Sequence, residues 1–346
     1  MTSEVRLADV AKAAGVSLAT ASRALNRVPG RRVGADLRAR VLAAAAELDY
    51  SPNANAQAMA RGTTDTVGLI VNDIADPYAA AIAAGVMEAA AARGLIVTVA
   101  ATGWNPETEV RHVEALRRQR ARAVILAGSR YLDASTERQL AAEVAGIQKA
   151  GGHVAVIGQR VLPVSTLVLA NAAGARRLAR VLWTLYYRRF AVLAGPENVL
   201  TSEERVAGFR DGLADCGYRL PPENVVSTQL TRDGGYVAMT ELLGLGTPVD
   251  VVFAVNDVMA VGAMAALREH GHRVPQDMAL AGFDDIITLR DIQPPLTTVR
   301  IPLVKVGQRA LETALDGSRQ GAPPAVTING EVVVRASTPE RPRPRR

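Results

Sequence analysis

The segment Leu7-Ala-Asp-Val-Ala-Lys-Ala-Ala-Gly15-Val-Ser17-Leu-Ala-Thr-Ala-Ser-Arg-Ala-Leu-Asn26 contains two short helical patterns separated by a glycine. Gly15 is a residue type that commonly ends helices, and Ser17 is a good cap for a second helix running to about Asn26. The first pattern has apolar residues at helical spacing: Leu7, Val10, Ala11 and Ala14. The segment therefore predicts two short helices joined by a tight turn.

The second predicted helix has two different faces. One is small and apolar and suits packing on the first helix: Ala21, Ala24 and Leu25. The other is mixed and suits a DNA groove: Leu18, Ala19, Ser22, Arg23 and Asn26. A third helical pattern follows, with one apolar face: Leu37, Val41, Ala44, Ala45 and Leu48. Two helices joined by a turn and braced by a third predict a helix-turn-helix. From spacing alone, a generic three-helix bundle with a solvated basic face fits equally well.

Positive charge is concentrated at the two ends of this 346-residue chain, whose net charge is +6. Residues 1–62 have nine Lys or Arg against five Asp or Glu, and residues 335–346 have five Arg against one Glu. The part between them therefore carries about two negative charges. A basic N-terminal module favours a polyanion as partner, whereas the Arg- and Pro-rich end is typical of a solvated tail.

Cysteine usage and hydropathy define the compartment that we expect. Cys216 is the single cysteine, which excludes a disulfide framework and fits a reducing cytosol. The N-terminus lacks the apolar run of a signal peptide, and no uncharged stretch reaches transmembrane length. We therefore expect a soluble, cytoplasmic protein.

Beyond residue 62, apolar runs alternate with helical patterns, which predicts parallel sheets covered on both faces by helices. The predicted strands are 66–71, 95–100, 123–126, 153–157, 190–193, 224–228, 250–254 and 278–281. The clearest helices are 78–92, 106–119, 172–186, 258–270 and 303–316. These units are too many for one compact sheet, so we expect two similar subdomains.

Residues 5–26, together with 40–54, strongly resemble the DNA-binding segment of the lactose-repressor (LacI/GalR) family of bacterial transcriptional regulators, and the resemblance extends across nearly the whole chain. It implies a small all-α helix-turn-helix domain plus hinge helix, followed by an α/β periplasmic-binding-protein-like domain of two parallel-sheet subdomains. The implied boundaries are 1–51 for the DNA-binding domain, 52–62 for the hinge helix, 63–161 and 294–322 for the first subdomain, 162–293 and 323–338 for the second, and 339–346 for the tail.

The same resemblance places the helix 17–26 in the major groove of DNA. Arg23 is the strongest candidate for reading a base, because an arginine can bind guanine through two hydrogen bonds; a phosphate contact is its alternative. The implied DNA-binding residues are Ser17, Leu18, Ala19, Thr20, Ser22, Arg23, Asn26, Asn53, Ala56 and Met59.

Residues 52–62 have Pro52 and Gly62 where a short helix would begin and end. A helix this short is marginal in water, so it suits a segment that orders on binding; a plain linker is the alternative. By resemblance it is a hinge helix over the minor groove, with Met59 as the side chain that wedges between base pairs.

Polar residues follow several predicted strands, at the sheet edge where α/β proteins bind ligands. Their recurrence indicates a small polar ligand, although each residue alone is also typical of a helix cap. By resemblance, Arg205 and Asp284 hold the effector and face each other across a cleft, where they would share the hydroxyls of a sugar. The predicted effector-binding residues are Tyr78, Trp104, Gln159, Arg205, Asn256 and Asp284.

Several positions depart from the family pattern. Arg6 stands where a Ser or Thr usually caps the first helix, and the loop 27–33 is about two residues longer than usual. Gln159 and Ala170 stand where many members have an aspartate. The last two departures indicate a cleft with its own ligand preference.

Motifs for catalysis are missing from the sequence. It has no Walker A sequence, no dinucleotide fingerprint and no nucleophile elbow, and its four histidines lack metal-ligand spacing. We predict no catalytic residue, no cofactor and no metal. The predicted function is a ligand-responsive repressor that binds a pseudo-palindromic operator as a homodimer and responds to a sugar, with no membrane contact. The alternatives are a sugar-binding protein and an α/β enzyme, both without a DNA role.

Overall fold

The computed structural model describes residues 5–25, 33–51, 62–316 and 325–343. Contacts divide the chain into two compact units, Met1–Thr64 and Asp65–Arg346. The first is helical and the second alternates strands and helices. The predicted fold class, a helix-turn-helix region followed by an α/β domain, is confirmed.

The first unit contains α1 (Leu7–Ala13), α2 (Leu18–Leu25) and α3 (Ala35–Glu47). Their shared core has Val10, Ala21 and Val41 fully buried, so the predicted packing face of α2 is confirmed. Leu37 was expected in this core, but its side chain is 38% exposed. The buried face of α3 is formed by Val41, Ala44 and Ala45.

The second unit begins with β1 (Thr66–Val71), α4 (Pro77–Ala91), β2 (Ile96–Ala101), α5 (Pro106–Arg118), β3 (Ala123–Ala127), α6 (Ala134–Lys149), β4 (His153–Ile157) and β5 (Ser165–Leu169). It continues with α7 (Asn171–Thr184), β6 (Phe190–Ala194), α8 (Leu200–Ala214), β7 (Val225–Ser227), α9 (Arg232–Gly244), β8 (Val251–Ala254), α10 (Asp257–Glu269) and β9 (Ala279–Ala281). It ends with β10 (Thr298–Arg300), α11 (Leu303–Asp316), β11 (Ala325–Ile328) and β12 (Glu331–Val333).

These strands form two parallel sheets. The larger has the order β11-β5-β4-β3-β1-β2, and the smaller has the order β7-β6-β8-β9. A separate antiparallel pair joins β10 to β12. Strands such as β3 and β8 are buried along their whole length, as expected where helices cover both faces of a parallel sheet.

Two strands lie in a different sheet from the one predicted. The boundaries near residues 162 and 323 assigned Ser165–Leu169 and Ala325–Ile328 to the second subdomain. In the structure both belong to the six-stranded sheet, where β5 pairs with β4 and β11 pairs with β5. A run of four or five apolar residues predicts a strand, but it carries no information about which sheet that strand joins.

Helices α7 and α8 approach each other closely at Gly208. A side-chain methyl at this position would overlap the backbone of Ala172, because no Cβ separates the two helices there. Two features of the cleft described below, Arg205 on α8 and Asn171 at the start of α7, lie beside this crossing. The glycine therefore sets the separation at which these two side chains can meet.

We expect Gly208→Ala to lower the free energy of unfolding by about 1–3 kcal/mol, the usual cost of overpacking a tight contact. Urea unfolding measures this change. Gly244→Ala is the matched control, because an added methyl there meets no atom within 4 Å and alanine favours the helix by about 0.5–1 kcal/mol. Equal effects of the two substitutions would contradict the close approach.

Across the described ranges, no helix combines the length and apolar character needed to span a bilayer.

Candidate DNA-recognition surface and effector cleft

Ser17 closes the N-terminus of α2. Its hydroxyl oxygen accepts a hydrogen bond from the backbone N–H of Thr20 at 3.2 Å and lies 2.9 Å from the Thr20 hydroxyl. This geometry is that of an N-cap, as the sequence predicts. The cap defines the helix start and so places Leu18 and Ala19 in its first turn.

The exposed face of α2 carries the residues predicted to meet DNA. Leu18 is 54% exposed, a large value for an apolar side chain, and Ala19 and Arg23 are exposed as well. The Arg23 side chain donates from Nε to the carbonyl oxygen of Ala19 at 2.9 Å. Because this bond uses Nε, it leaves the two NH₂ groups for an outside acceptor. The residues predicted to face the groove thus lie on one exposed surface of α2, which the structure describes up to Leu25.

A side chain of α3 stabilises the turn before α2. Gly15 has a φ of +61°, in the left-handed region that glycine adopts without strain. Arg40 donates from Nη2 to the carbonyl oxygen of Ala14 at 2.6 Å, and so satisfies a carbonyl at the end of α1. This contact ties α3 to the end of α1, and nothing in the sequence pattern singled out Arg40 for it.

Four predicted DNA contacts lie outside the described residues. They are Asn26, Asn53, Ala56 and Met59. The hinge helix therefore stays a prediction.

The second unit contains a cleft of about 560 Å³, including the part open to solvent. Its walls come from segments that follow strands of both parallel sheets, the location expected for ligands in α/β proteins. The polar and aromatic residues that line it are Asn72, Asp73, Asp76, Tyr78, Trp104, Ser129, Thr201, Ser202, Arg205, Asn256 and Asp284. Five of the six predicted effector residues are among them.

Arg205 is the most connected side chain of the cleft. It is 3% exposed and donates to Asp284 from Nη2 at 2.8 Å and from Nη1 at 3.3 Å. Nη1 also donates to the carbonyl oxygen of Val255 at 2.7 Å, and Nε donates to Oδ1 of Asn171 at 3.0 Å. The guanidinium lies 3.9 Å from the ring centre of Phe283. Arg205 is thus held in one orientation by four bonds and an aromatic face.

Arg205 and Asp284 do not face each other across the cleft. They form a direct ion pair on one wall, which corrects the predicted arrangement. The reason is topological: α8 follows β6 and Asp284 follows β9, and both strands belong to the four-stranded sheet. The opposite wall, from the larger sheet, contributes Asp73, Asp76 and Tyr78.

Asp284 has an unusual backbone and a raised pKa. Its φ is +116°, in a region that costs a non-glycine residue free energy. Its backbone N–H donates to the carbonyl oxygen of Val299 at 2.8 Å, which helps to hold this conformation. Burial raises the pKa of the Asp284 carboxyl to about 6, and the adjacent Arg205 opposes the rise. The carboxylate is therefore mostly ionised at neutral pH.

Asn256 and Asp257 follow the same strand but have different surroundings. Asn256 caps α10, accepting from the backbone N–H of Met259 at 2.8 Å, and it also borders the cleft. Asp257 is fully buried. Its carboxylate accepts hydrogen bonds from the Thr298 hydroxyl at 2.7 Å and from the backbone N–H of Ile286 at 3.1 Å. Burial, followed by the charge of Asp284, raises the pKa of Asp257 to about 7. Asp257 supports the loop that carries Asp284.

We expect Asp257→Asn to flatten the pH dependence of stability between about pH 4 and 7. The pKa of Asp257 is about 7 in the folded protein and ordinarily 3.8. In this window the folded protein keeps a proton that the unfolded chain releases, so stability falls as pH rises, by up to about 1.4 kcal/mol per pH unit. Asparagine cannot titrate, and its amide can donate to the Thr298 hydroxyl.

Urea unfolding at pH 5, 6 and 7 tests this. Asp277→Asn is the control, because Arg273 lowers the pKa of Asp277 to about 2 and its titration lies below the window. A slope that persists unchanged in Asp257→Asn would contradict the assignment. Asp284 contributes a slope of the same sign in both variants.

Gln159 lies beside the cleft and not in its lining. Its amide donates to Thr201 Oγ1 and Glu204 Oε2, both at 3.0 Å, and its carbonyl accepts from the backbone N–H of Arg130 at 3.1 Å. With these bonds made, Gln159 connects residues of the two sheets. The structure therefore gives Gln159 a bridging place instead of the predicted effector contact.

Residues that follow β3 meet residues at the start of α8 at the base of the cleft. The Ser129 hydroxyl donates to Thr201 Oγ1 at 2.6 Å and accepts from the backbone N–H of Thr201 at 3.0 Å. An isolated bridge pairs Tyr131 with Val199. The buried Arg130 guanidinium beside them pairs with Glu109 and, at 3.6 Å, with Glu137. The Ser129–Thr201 and Tyr131–Val199 contacts join the two sheets, while the ion pairs of Arg130 lie within the part built on the larger sheet.

Tyr78 and Trp104 line the cleft as predicted. Burial and the charge of Asp284 raise the pKa of Tyr78 above its ordinary value, so its hydroxyl stays protonated. Trp104 has a φ of +63°, and its carbonyl oxygen accepts from the Tyr131 hydroxyl at 3.1 Å. The left-handed backbone of Trp104 places the indole at the cleft, and the hydrogen bond from Tyr131 stabilises this backbone conformation.

Six polar lining residues are not among the predicted effector residues: Asn72, Asp73, Asp76, Ser129, Thr201 and Ser202. Asp76 precedes Pro77, a cap-and-proline pair that marks a helix start and could have located it at the ligand edge. Ser129 and Thr201 have no comparable signal. Within the described ranges, no group of three or more His, Cys, Asp or Glu side chains is arranged to hold a metal.

Two families match parts of the chain. Residues 6–53 match the family described as bacterial regulatory proteins, lacI family. Residues 179–338 match the periplasmic binding protein-like domain. The HTH-type transcriptional regulator GalR of Escherichia coli (strain K12) is 35% identical over 310 residues, which cover 89% of this chain and 87% of GalR. The HTH-type transcriptional repressor CytR of the same strain is 31% identical over 336 residues, 95% of either chain.

Solved structures give the same result. The lac repressor dimer bound to operator and the anti-inducer ONPF has a TM-score of 0.83 at 26% identity, covering 97% of this chain and 99% of the other. The transcriptional regulator CelR–cellobiose complex has a TM-score of 0.70 at 30% identity, covering 96% and 99%. These similar proteins are transcriptional regulators and not enzymes. The chain therefore belongs to the lacI family of bacterial regulatory proteins, the DNA-binding transcriptional regulators that carry a periplasmic-binding-protein-like domain.

Proposed function

We propose that this regulator is a repressor that binds a pseudo-palindromic operator as a homodimer, in the cytoplasm, and that a small molecule in the cleft controls it. The observation that carries the proposal is the combination of two sites in one chain. One is the capped helix α2 with its exposed Leu18 and Arg23. The other is the cleft built around the Arg205–Asp284 pair.

The DNA part of the proposal rests on α2. A recognition helix presents the residues of its first turns to base edges, and here those positions are the exposed residues of the helix. Leu18 and Ala19 cannot hydrogen-bond through their side chains, so they suit a thymine methyl or the shape of the groove. Ser17, Thr20 and Ser22 suit phosphate oxygens, which set the position of the helix along the DNA.

The control part rests on the contacts that join the two sheets. A ligand between Asp76 on one wall and Arg205 on the other would favour one angle between the sheets. Operator affinity then follows from which angle the ligand binds better. We propose a sugar as this ligand, because the lining is rich in groups that hydrogen-bond hydroxyls and includes two aromatic side chains. CelR, a similar protein, is known as a cellobiose complex.

Selection from a pool of random DNA duplexes by gel shift is expected to enrich an inverted repeat. Two copies of α2 related by a two-fold axis require two equivalent half-sites, and sedimentation should give one dimer on each duplex. The variant Leu18→Lys should fold normally, because Leu18 is exposed, but it should no longer enrich the same DNA sequence. Enrichment of sites without two-fold symmetry would contradict the homodimer.

A further inference from the structure

The cleft has an excess of negative charge. Asp73, Asp76 and Asp284 line it against the single guanidinium of Arg205, which leaves two negative charges in excess. Burial raises the pKa of Asp76 above its ordinary value, and the hydrogen bond from the Tyr78 backbone N–H opposes this rise. The charge of Asp73 also raises this pKa and that of Arg205 lowers it, so these charged groups lie close enough to influence one another. Asp73 and Asp76 lie on the loop between β1 and α4, opposite the ion pair.

The groups that would bind an anion are already occupied. Four of the five N–H groups of Arg205 donate to protein acceptors. A helix N-terminus attracts anions, but the Asp76 carboxylate accepts from the backbone N–H of Tyr78 at 2.9 Å and fills that place on α4. Asn256 does the same on α10, and the Ser129 hydroxyl accepts from the first turn of α8. A phosphate would therefore meet carboxylates, while the cation and the helix N-termini that usually bind it already have protein acceptors.

The remaining groups suit an uncharged molecule with many hydroxyls. Each aspartate of the loop uses Oδ1 for a backbone N–H, from Ala75 to Asp73 and from Tyr78 to Asp76. Oδ2 of each can accept a ligand hydroxyl, and charge-assisted bonds of this kind are the strong ones. The negative face of the Trp104 indole suits the C–H groups of a sugar ring.

We infer that the effector is an unphosphorylated sugar, and that Asp73 and Asp76 exclude phosphorylated sugars and other anions from the cleft. The inference rests on the proposed function in taking the cleft as the effector site. It adds the charge class of the ligand and assigns two specificity-determining residues.

A thermal-shift screen of the full chain tests the charge class. The panel contains hexoses, pentoses and disaccharides, each paired with its phosphate ester. A ligand that binds the folded state raises the melting temperature in proportion to its saturation. We expect at least one unphosphorylated sugar to raise it and no phosphate ester to do so. A larger shift with any phosphate ester than with its parent sugar, or no shift with any unphosphorylated sugar, would overturn the inference.

Asp76→Asn tests the residue assignment. Asparagine caps a helix as well as aspartate does, so α4 keeps its start while the cleft loses one negative charge. We expect the preference for the parent sugar over its phosphate ester to fall about tenfold, the scale of one charge near a partly exposed site. Glu331→Gln is the control, because it removes a charge from an exposed side chain outside the cleft lining. An unchanged preference in Asp76→Asn would overturn the assignment.

Measuring operator binding distinguishes a failure of the charge class from a failure of the proposed function. Gel shift of the operator with and without each compound that binds shows whether the cleft controls DNA binding. If a phosphate ester binds and changes operator affinity, the charge class is wrong and the proposed function stands. If an unphosphorylated sugar binds without changing operator affinity, the charge class stands and the proposed control fails.

Discussion

Arg205→Met is expected to lower the free energy of unfolding by about 3–5 kcal/mol and to abolish the response to effector. The substitution leaves Asp284, which is 3% exposed, without its ion-pair partner, and an unpaired buried charge carries a cost of this size. The carbonyl of Val255 and the amide of Asn171 lose a donor as well. Urea unfolding at pH 8 and pH 5 measures the change.

The deficit should be smaller at pH 5, because burial has already raised the pKa of Asp284 to about 6 and a protonated carboxyl needs no cation. The double variant Arg205→Met with Asp284→Asn removes both charges and should recover most of the lost stability. It should still fail to respond to effector. A single variant with the stability of the unaltered protein would show that the pair is not buried as the structure has it.

Arg23→Ala is expected to relax sequence preference at one base pair in each half-site by about 1–3 kcal/mol, roughly 5- to 150-fold, while other positions keep their preference. The physical reason is that a guanidinium binds the two acceptors of guanine at once, which no alanine can replace. Gel shifts with operators changed at single base pairs measure it.

Arg180→Ala is the control for Arg23, because it removes an exposed arginine from the second unit. It should leave the preference at every position unchanged. An equal loss of affinity for all operator variants in Arg23→Ala would make Arg23 a phosphate contact. A reduced dependence of affinity on salt would accompany that outcome.

Local structure could be predicted from the sequence where the pattern of apolar residues is clear. The bounds of β1, β4 and α11 agree with the predicted ones, because β1 and β4 are short apolar runs and α11 has apolar residues at helical spacing. The Ser17 cap and the buried face of α2 follow from residue type and spacing in the same way. The burial of Leu37 was predicted wrongly, because spacing within one helix does not say where along its face the neighbouring helices pack.

The cleft could be predicted only in part. Position after a strand located Trp104, Asn256 and Asp284, since all parallel strands of a sheet end at one edge. Position along the chain does not say on which wall a residue stands, so Arg205 and Asp284 were expected to be apart. The places of Ser129 and Gln159 depend on how the two sheets pack against each other. No local sequence pattern predicts this packing.

The bonds around Gln159 have a consequence for redesign of this regulator. Arg205 donates to Asn171, Asn171 and Gln159 both donate to Glu204, and Gln159 accepts from the backbone of Arg130. Residues in one hydrogen-bonded network do not contribute independently to stability or binding. The effects of single substitutions therefore do not predict the effect of combining them. A library aimed at a new effector should therefore randomise Asn171, Gln159, Glu204 and Arg205 together. Varying them one at a time would discard combinations that work only as sets.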